Sequence, residues 1–313
     1  MRLAVVLLLW CGLAIAQEAP CPSDRQADAA HIGAIRKCQI EAFLKSTYYQ
    51  NLNERYPTTM SAARMGGVYV EVFTPKGGIS KRNESRVLIN VHGGGFLGGS
   101  RISSHIESVP VASLGNIKVV SIDYRMGPEY VFPAASEDVA AVYRELLQTY
   151  HARNIGIYGC SAGGLLTAQA VAWFNKHGLP RPGAIGMLCE GGFYWSVGDS
   201  GRLDTVVTGQ PLETAHDTAY LKDVSLTDPL VFPAQSPELL AQFPPTLLLS
   251  STRDKSLSSV VMTHSRLVNA GVEAELHVWE GLGHAFMYDP DHPESKEAWT
   301  AVVKFFDKFL DAR

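Results

Sequence analysis

Two neighbouring residues in the segment NIGIYGCSAGGLL, Cys160 and Ser161, both carry side chains that can act as nucleophiles. The segment contains the pattern G-x-S-x-G, which is typical of a sharp strand-to-helix turn that exposes a strained central residue. The residues two positions before and after that residue must be small, and around Ser161 they are Gly159 and Gly163. Around Cys160 the first would be Tyr158, whose ring would collide with the helix. The pattern favours Ser161 as the nucleophile, with an ordinary glycine-rich turn as the alternative.

A second glycine-rich segment, INVHGGGFLGGS, places three glycines after His92 at the end of an expected strand. Glycine backbones can expose their N–H groups to a pocket, and such donors stabilise the oxyanion of a tetrahedral intermediate. A phosphate-binding loop is the rival interpretation, but no G-K-[ST] follows and no lysine lies nearby. The segment therefore predicts an oxyanion hole.

A nucleophilic serine needs a base and an acid, which hydrolases with this turn supply in the order Ser, Asp or Glu, His. His284 in WEGLGHAF comes just after the last expected strand, and Asp254 in LLLSSTRDKSL directly follows a buried one. One helix and one strand separate them, which returns the chain to the same edge of the sheet. His277 and His292 are interpreted as structural. Solvated carboxylates are expected at the acidic residues of the irregular region after residue 190: Asp199, Asp204, Asp217, Asp223 and Asp228.

A metal centre is the competing interpretation of one other cluster, formed by His284, Asp289, Asp291 and His292. Its spacing matches no standard pattern of metal ligands. We therefore expect neither a metal nor a cofactor.

The elements that must position these residues alternate between strand and helix, which favours a mostly parallel sheet with helices on both faces, an α/β fold. The expected strands are GGVYVEVFTP, SRVLINV, IKVVSIDY, NIGIYG, GAIGMLCE, PPTLLLSS and AELHVW. The expected helices are FPAASEDVAAVYRELLQTY, AGGLLTAQAVAWFNKHG, SLSSVVMTHSRLVNAG and PESKEAWTAVVKFFDKFL.

Two regions do not follow this rhythm. Residues 17–64 contain loosely helical apolar spacing and are expected to form N-terminal cap helices. Residues 65–313 then form the catalytic domain. Within it, residues 191–243 are rich in Gly, Asp, Pro and Thr without a clear strand, which predicts an inserted cap over the sheet edge.

The first sixteen residues have the layout of a cleavable export signal: Arg2, an apolar stretch from Leu3 to Ile15, and small residues that end at Ala16. The alternative is a short membrane anchor, but this stretch is shorter than the roughly 20 residues of a spanning helix. We expect cleavage after Ala16, export, and no stable membrane insertion. Export permits disulfides, and Cys21 and Cys38 either pair with each other or stay free.

The overall charge also limits the partners. The chain of 313 residues has a formal net charge of −4. This balance gives no basic face for nucleic acid or for an anionic membrane surface, so we expect neither as a partner.

Five segments in consistent order resemble one known family: HGGG at 92–95, DYRMGPEYVFPAA at 123–135, GCSAGG at 159–164, STRDKSL at 251–257 and GLGHAF at 281–286. They are similar to the hormone-sensitive-lipase-like branch of the α/β-hydrolases, the bacterial family IV carboxylesterases, and the match covers about residues 65–313. Where that family commonly has Asp or Thr before the serine, this chain has Cys160.

The resemblance implies an α/β-hydrolase fold with a helical cap and a catalytic triad of Ser161, Asp254 and His284. It also implies that the oxyanion is bound by backbone N–H groups of Gly94, Gly95 and Ala162.

The expected activity is hydrolysis of small-molecule carboxylic esters, with short to medium acyl chains, through an acyl-enzyme. The alternatives are another acyl substrate on the same machinery, such as a lactone, an acetylated sugar or a peptide, and a non-catalytic ligand-binding protein of the same fold. Oligomeric state is left open. The residues expected to line the substrate pocket are Phe96, Leu97, Phe193, Tyr194 and Trp195.

Overall fold

The computed structural model describes residues 21–22 and 28–311. The expected signal peptide, residues 1–16, lies outside the described residues. Within the described ranges, none of the helices is long and apolar enough to cross a membrane.

The N-terminal region forms helices α1 (Ile32–Lys45) and α2 (Thr47–Arg55). Ser46 separates them, because its side chain accepts the N–H of Tyr49 at 3.1 Å and so caps the start of α2. Cys21 forms a disulfide with Cys38 of α1, which decides between the two states that the sequence left open. The disulfide ties the segment before α1 to this helix.

The centre of the molecule is an eight-stranded sheet with the strand order β1-β2-β4-β3-β5-β6-β7-β8. β2 pairs antiparallel with both of its neighbours, and the other pairings are parallel. The mostly parallel sheet predicted from the sequence is confirmed. The strands are β1 (Thr58–Met65), β2 (Val68–Pro75), β3 (Val87–Asn90), β4 (Val119–Ile122), β5 (Ile155–Cys160), β6 (Ala184–Leu188), β7 (Thr246–Arg253) and β8 (Ala274–Gly283).

Helices cover both faces of this sheet. They are α3 (Ser103–Gly115), α4 (Ala134–Leu146), α5 (Ala162–Lys176), α6 (Ser200–Thr208), α7 (Pro237–Leu240), α8 (Leu257–Asn269) and α9 (Pro293–Phe309). One apolar core joins α4, α5 and α8 to the sheet, and the other joins α3 and α9 to its opposite face. Short 3-10 helices span Lys81–Asn83, Ala152–Asn154, Ala215–Asp217, Pro233–Gln235 and Phe286–Tyr288.

Side chains of β5 alternate between these two cores, as expected for a strand that is buried on both faces. Ile155 and Ile157 pack on the side of α4, α5 and α8, whereas Tyr158 and Cys160 pack on the side of α3 and α9. The strand therefore ends with the Cys160 side chain directed into the core beneath α3 and α9.

Two elements differ from the sequence prediction. Residues 58–65, mostly assigned to the N-terminal cap helices, form the edge strand β1, which is largely exposed and therefore lacks an alternating apolar pattern. Helix α3 was not predicted, because it contains Pro110 and buries polar residues such as Ser104 and Ser108. Neither feature produces helical periodicity in the sequence.

The region 191–243, all of which the structure describes, contains α6, α7 and two 3-10 helices and no strand. Its apolar residues Tyr220, Val231 and Phe232 join the core that contains α5 and α8. The region is thus packed onto the sheet and its helices and shares their apolar core.

Candidate active site

Ser161 occupies the turn between β5 and α5 with φ 57° and ψ −122°. This left-handed conformation is costly for a residue with a side chain, so the surrounding structure must enforce it. A Cβ on either Gly159 or Gly163 would lie 1.9 Å from the carbonyl oxygen of Val91. The N–H of Ser161 donates to Leu188 O at 2.7 Å and holds the turn against β6. A side chain at either position would therefore collide with Val91, so both residues must be glycine, as the sequence pattern predicts.

Three side chains converge at the carboxyl ends of the parallel strands. His284 Nε2 lies 2.8 Å from Ser161 Oγ, and His284 Nδ1 lies 2.7 Å from Asp254 Oδ1. Asp254 follows β7 and His284 follows β8, so adjacent strands deliver the acid and the base to the same edge. The structure therefore brings together the three residues that the motif order selected.

Asp254 is buried, with 1% of its surface exposed. Burial, the largest single cause, would raise its pKa, but the charge and hydrogen bond of His284, together with hydrogen bonds from Ser256 and Ser250, hold the pKa below its ordinary value. The Ser256 N–H and the Ser250 hydroxyl each donate to this carboxylate at 2.9 Å. These contacts keep Asp254 ionised and fix its orientation.

The pKa of His284 is raised for the reciprocal reason. Burial lowers it, Asp254 raises it by charge and by hydrogen bonding, and the nearby Lys255 ammonium lowers it again. The effect of Asp254 is the larger one, so the net pKa of His284 lies above its ordinary value. An imidazole with such a partner is a stronger base than free histidine.

The HGGG segment follows β3 and lines the same cavity as Ser161. Gly94 and Gly95 have φ values of 128° and 64°, and a Cβ on Gly94 would lie 2.2 Å from Gly98 O. Within the described part of the chain, neither of their N–H groups donates to a backbone carbonyl. Ala162 opens α5, where the N–H has no partner inside the helix. All three residues line one cavity with Ser161.

That cavity has a volume of about 480 Å³. Of the expected pocket residues, Phe96, Leu97 and Trp195 line it. Phe193 and Tyr194 do not, which corrects the sequence prediction. The residues that line it are Gly94, Gly95, Phe96, Leu97, Ser161, Ala162, Glu190, Trp195, Glu213, Asp217, Thr218, Ala219, Tyr220, Lys255, Ser256 and His284.

The correction has a packing cause. The Phe193 ring lies beneath the Arg266 guanidinium, 4.7 Å from its carbon, and Tyr194 packs edge-on against Phe232. Both side chains are at most 9% exposed. Of these three consecutive residues, only Trp195 lines the cavity.

Several residues at the cavity carry no motif and were not predicted. Tyr220 stacks on Phe96 with ring centroids 4.8 Å apart. Lys255 Nζ pairs with a Glu213 oxygen at 3.5 Å, which brings a charged contact from the region 191–243 to the site. The Tyr220 and Glu213 side chains come from an irregular path that no sequence periodicity describes.

Glu190 is a further unpredicted residue, and it is linked to Asp254 through Ser256. It accepts hydrogen bonds from the Gly191 N–H and the Ser256 hydroxyl, both at 2.9 Å. Burial raises its pKa to about 8, well above the ordinary value of a glutamate. Its position two residues after β6, at the same sheet edge as the other site residues, is the signal that could have found it.

Cys160 lies outside the cavity with no exposed surface. Its sulfur is 4.0 Å from the sulfur of Met287, which also contacts Cys189 at 3.7 Å. Burial raises the pKa of the Cys160 thiol well above its ordinary value, so the thiolate needed for nucleophilic attack does not form.

The cluster considered as a metal site does not assemble. His284 is engaged by Ser161 and Asp254, whereas His292 lies at the exposed surface 3.5 Å from Asp289. Among the described residues, no group of three or more His, Cys, Asp or Glu side chains is arranged to hold a metal ion.

Comparison with known proteins places this geometry in a family. Residues 88–288 match a family described as alpha/beta hydrolase fold. The chain is 26% identical to the versiconal hemiacetal acetate esterase of Dothistroma septosporum over 74% of each chain. It resembles the crystal structure of esterase E25 with 30% identity and a TM-score of 0.80, over 94% of this chain and 92% of that one.

A second solved structure, an esterase from the bacterial hormone-sensitive lipase family, is 25% identical with a TM-score of 0.73, over 91% of this chain and 100% of that one. The fold and the family predicted from the sequence are both confirmed. The chain belongs to the α/β-hydrolase fold family, in its hormone-sensitive-lipase-like branch, and is a carboxylesterase-like hydrolase.

Proposed function

We propose that this hydrolase cleaves carboxylic esters by a serine mechanism in which Ser161, His284 and Asp254 form the catalytic triad. The observation that carries the proposal is the continuous pair of hydrogen bonds, 2.8 Å from Ser161 Oγ to His284 Nε2 and 2.7 Å from His284 Nδ1 to Asp254 Oδ1. In this arrangement the imidazole can take the hydroxyl proton while the carboxylate stabilises the imidazolium that results.

The reaction runs in two steps. Ser161 Oγ attacks the acyl carbonyl carbon and transfers its proton to His284 Nε2, and the imidazolium then protonates the departing alcohol. In the second step water attacks the acyl carbon and gives a proton to the same nitrogen. The bond between the acyl carbon and Ser161 Oγ then breaks, the imidazolium returns the proton to Oγ, and the carboxylic acid is released.

The negative charge that develops on the carbonyl oxygen is bound by the N–H groups of Gly94, Gly95 and Ala162. Two observations support this assignment: the positive φ values of both glycines, and the position of Ala162 at the start of α5. Fixed donors of this kind stabilise the transition state without reorganising during the reaction.

The substrates are esters with short to medium acyl chains. The cavity of about 480 Å³ lies toward the small end of the ~300–1,000 Å³ range of ligand pockets, and it must hold the acyl and the alcohol part together. A relative named as an acetate esterase supports the same choice.

Two proposals concern the whole chain. The helices α1 and α2 and the region 191–243 act as the cap of the catalytic domain, and the contribution of Trp195, Glu213 and Tyr220 to the cavity supports this role for the second region. The protein is exported after removal of residues 1–16. The disulfide between Cys21 and Cys38 is compatible with an oxidising compartment.

The replacement Ser161→Ala tests the triad. We expect it to lower kcat for a short-chain nitrophenyl ester by several orders of magnitude and to abolish labelling by a serine-reactive phosphonate, with the thermal midpoint little changed. Ser265→Ala, which removes an exposed hydroxyl from α8, is the matched control and should behave as the wild type. Near-normal turnover by Ser161→Ala would contradict the proposed nucleophile.

A further inference from the structure

Glu107 is a buried carboxylate of helix α3 that the mechanism above does not use. Its side chain has no exposed surface and lies outside the residues that line the cavity. Its oxygen Oε1 accepts from the Gly93 N–H at 2.8 Å and from the Tyr288 hydroxyl. Its oxygen Oε2 accepts from the Asn90 side-chain amide at 2.7 Å and from the Cys160 N–H at 3.2 Å.

These donors belong to separate segments that carry the proposed catalytic groups. Gly93 directly precedes the two oxyanion glycines, and Asn90 ends the strand before them. Cys160 directly precedes Ser161. Tyr288 ends the 3-10 helix that follows His284. A single carboxylate is therefore bonded to all three segments from beneath the cavity.

The tight approach of the same segments is seen independently at Gly93. A Cβ at this position would lie 2.7 Å from the Cys160 carbonyl oxygen and 2.9 Å from the Tyr288 hydroxyl. The HGGG loop, the serine turn and the loop after His284 thus meet at one point, and the Glu107 carboxylate lies there.

On the basis of the function proposed above, we propose that Glu107 is a positioning residue, which holds the oxyanion glycines, the nucleophile and the base in the relative arrangement that catalysis requires. It touches neither substrate nor the reacting atoms. It acts through the backbone N–H groups of Gly93 and Cys160 and through the Tyr288 side chain.

The chemistry of the residue supports a role beyond filling space. A buried carboxylate loses its hydration, which is costly unless hydrogen-bond donors replace the water. Burial raises the pKa of Glu107 to about 7 even though its four donors oppose that shift. An apolar side chain would fill the same volume without this cost, but it would leave the Gly93 and Cys160 N–H groups without an acceptor.

A positioning role predicts an effect on kcat more than on KM. The oxyanion donors bind most strongly in the transition state, so a shift of Gly94 and Gly95 relative to Ser161 weakens that state and leaves ground-state binding nearly unchanged. Displacements of about 1 Å in such groups can lower a rate by ~10²-fold.

The variant Glu107→Gln tests the proposal, since it preserves the shape and leaves one oxygen to accept hydrogen bonds. We expect kcat for a short-chain nitrophenyl ester to fall by about 10- to 100-fold, with KM changed by less than about 3-fold. Phosphonate labelling of Ser161 should slow by a similar factor, because it depends on the same oxyanion donors.

Glu71→Gln provides the matched control. Glu71 is also buried, at 5% exposure, and its oxygen lies 3.1 Å from His105 Nε2 on the same helix α3. The identical substitution should lower the thermal midpoint and leave kcat near the wild-type value. The proposal is overturned if Glu107→Gln and Glu71→Gln lower the thermal midpoint equally and also lower kcat equally, because Glu107 would then have only a structural role.

A second variant keeps the test valid where Glu107→Gln does not fold. Tyr288→Phe removes one of the donors to Glu107 at a partly exposed site, and we expect a loss of kcat of about 3-fold or more with KM preserved. Wild-type kcat in the folded variants would overturn the positioning role. That result would not bear on the triad, which the Ser161→Ala variant tests independently.

Discussion

At the scale of single residues, Ser161 and Cys160 differ through their surroundings more than through their intrinsic chemistry. Ser161 faces the cavity with His284 Nε2 2.8 Å from its oxygen. Cys160 belongs to the opposite core, where its sulfur lies near that of Met287. A thiol is the better nucleophile in water, but this one is buried outside the cavity, and burial raises its pKa.

Replacement of Cys160 by alanine should therefore leave the chemistry intact. We expect kcat and KM within about 2-fold of the wild type and a loss of about 1 kcal/mol in the free energy of unfolding, because a small buried group is removed from a packed site. Steady-state kinetics and denaturant unfolding measure the two effects. Cys189→Ala removes the other buried thiol that contacts Met287 and serves as the comparison. Complete inactivation of Cys160→Ala with the fold preserved would contradict this assignment.

The charge of Lys255 gives a second test at the residue scale, through pH. The base must be neutral to accept a proton, so kcat/KM falls as the pH drops through the pKa of His284. Lys255 lowers that pKa, because its positive charge disfavours the imidazolium. Lys255→Met should therefore raise the pKa of His284 further and move the acidic limb of the pH profile to higher pH. The alkaline plateau is the region where the variant and the wild type should agree most closely.

Lys222→Met is the control for that experiment. Lys222 is an exposed residue of the region 191–243, and its charge pairs with Asp223 at 4.0 Å. Its removal should leave the pH profile unchanged. An acidic limb that stays in place in Lys255→Met, or that moves to lower pH, would show that Lys255 does not act on His284.

At the scale of elements, what the sequence predicts depends on how evenly an element is buried. β3, β5, β6 and β7 are buried along all or most of their length, and all four were predicted. β1 is an exposed edge strand without alternation. Helix α3 is buried nearly all round and contains serines, a glutamate and Pro110, so its pattern resembles a loop.

The same distinction decides which site residues could be predicted. Ser161 and the glycines around it were identifiable because a sharp turn restricts the residue types along the chain itself. Glu107 was not, because its importance comes from donors that β3, β5 and the segment after β8 bring to it. Tyr220 was missed for a similar reason, since only the folded path of the region 191–243 places its ring against Phe96.

At the scale of the whole molecule, the parallel sheet and the region 191–243 contribute different parts of the site. The sheet brings the carboxyl ends of β3, β5, β7 and β8 together, and these ends carry the proposed catalytic groups. The region 191–243 adds the Trp195 ring and the Tyr220 ring to the walls of the cavity. We therefore expect side chains of the region 191–243 to influence which substrate sizes fit, and residues at the sheet edge to carry out the reaction.

This division predicts how acyl-chain preference responds to mutation. With nitrophenyl esters that differ only in acyl length, we expect kcat/KM to be greatest for acetyl to butanoyl chains and to fall by about 10-fold or more for decanoyl, because the cavity of about 480 Å³ must take the acyl chain beside the alcohol. Trp195→Ala removes a large ring from the wall and should move the optimum toward longer chains. Trp173→Ala is the same substitution on α5 outside the cavity and should leave the profile unchanged. A wild-type profile that rises steadily to decanoyl would contradict the proposed acyl preference while leaving the triad untouched.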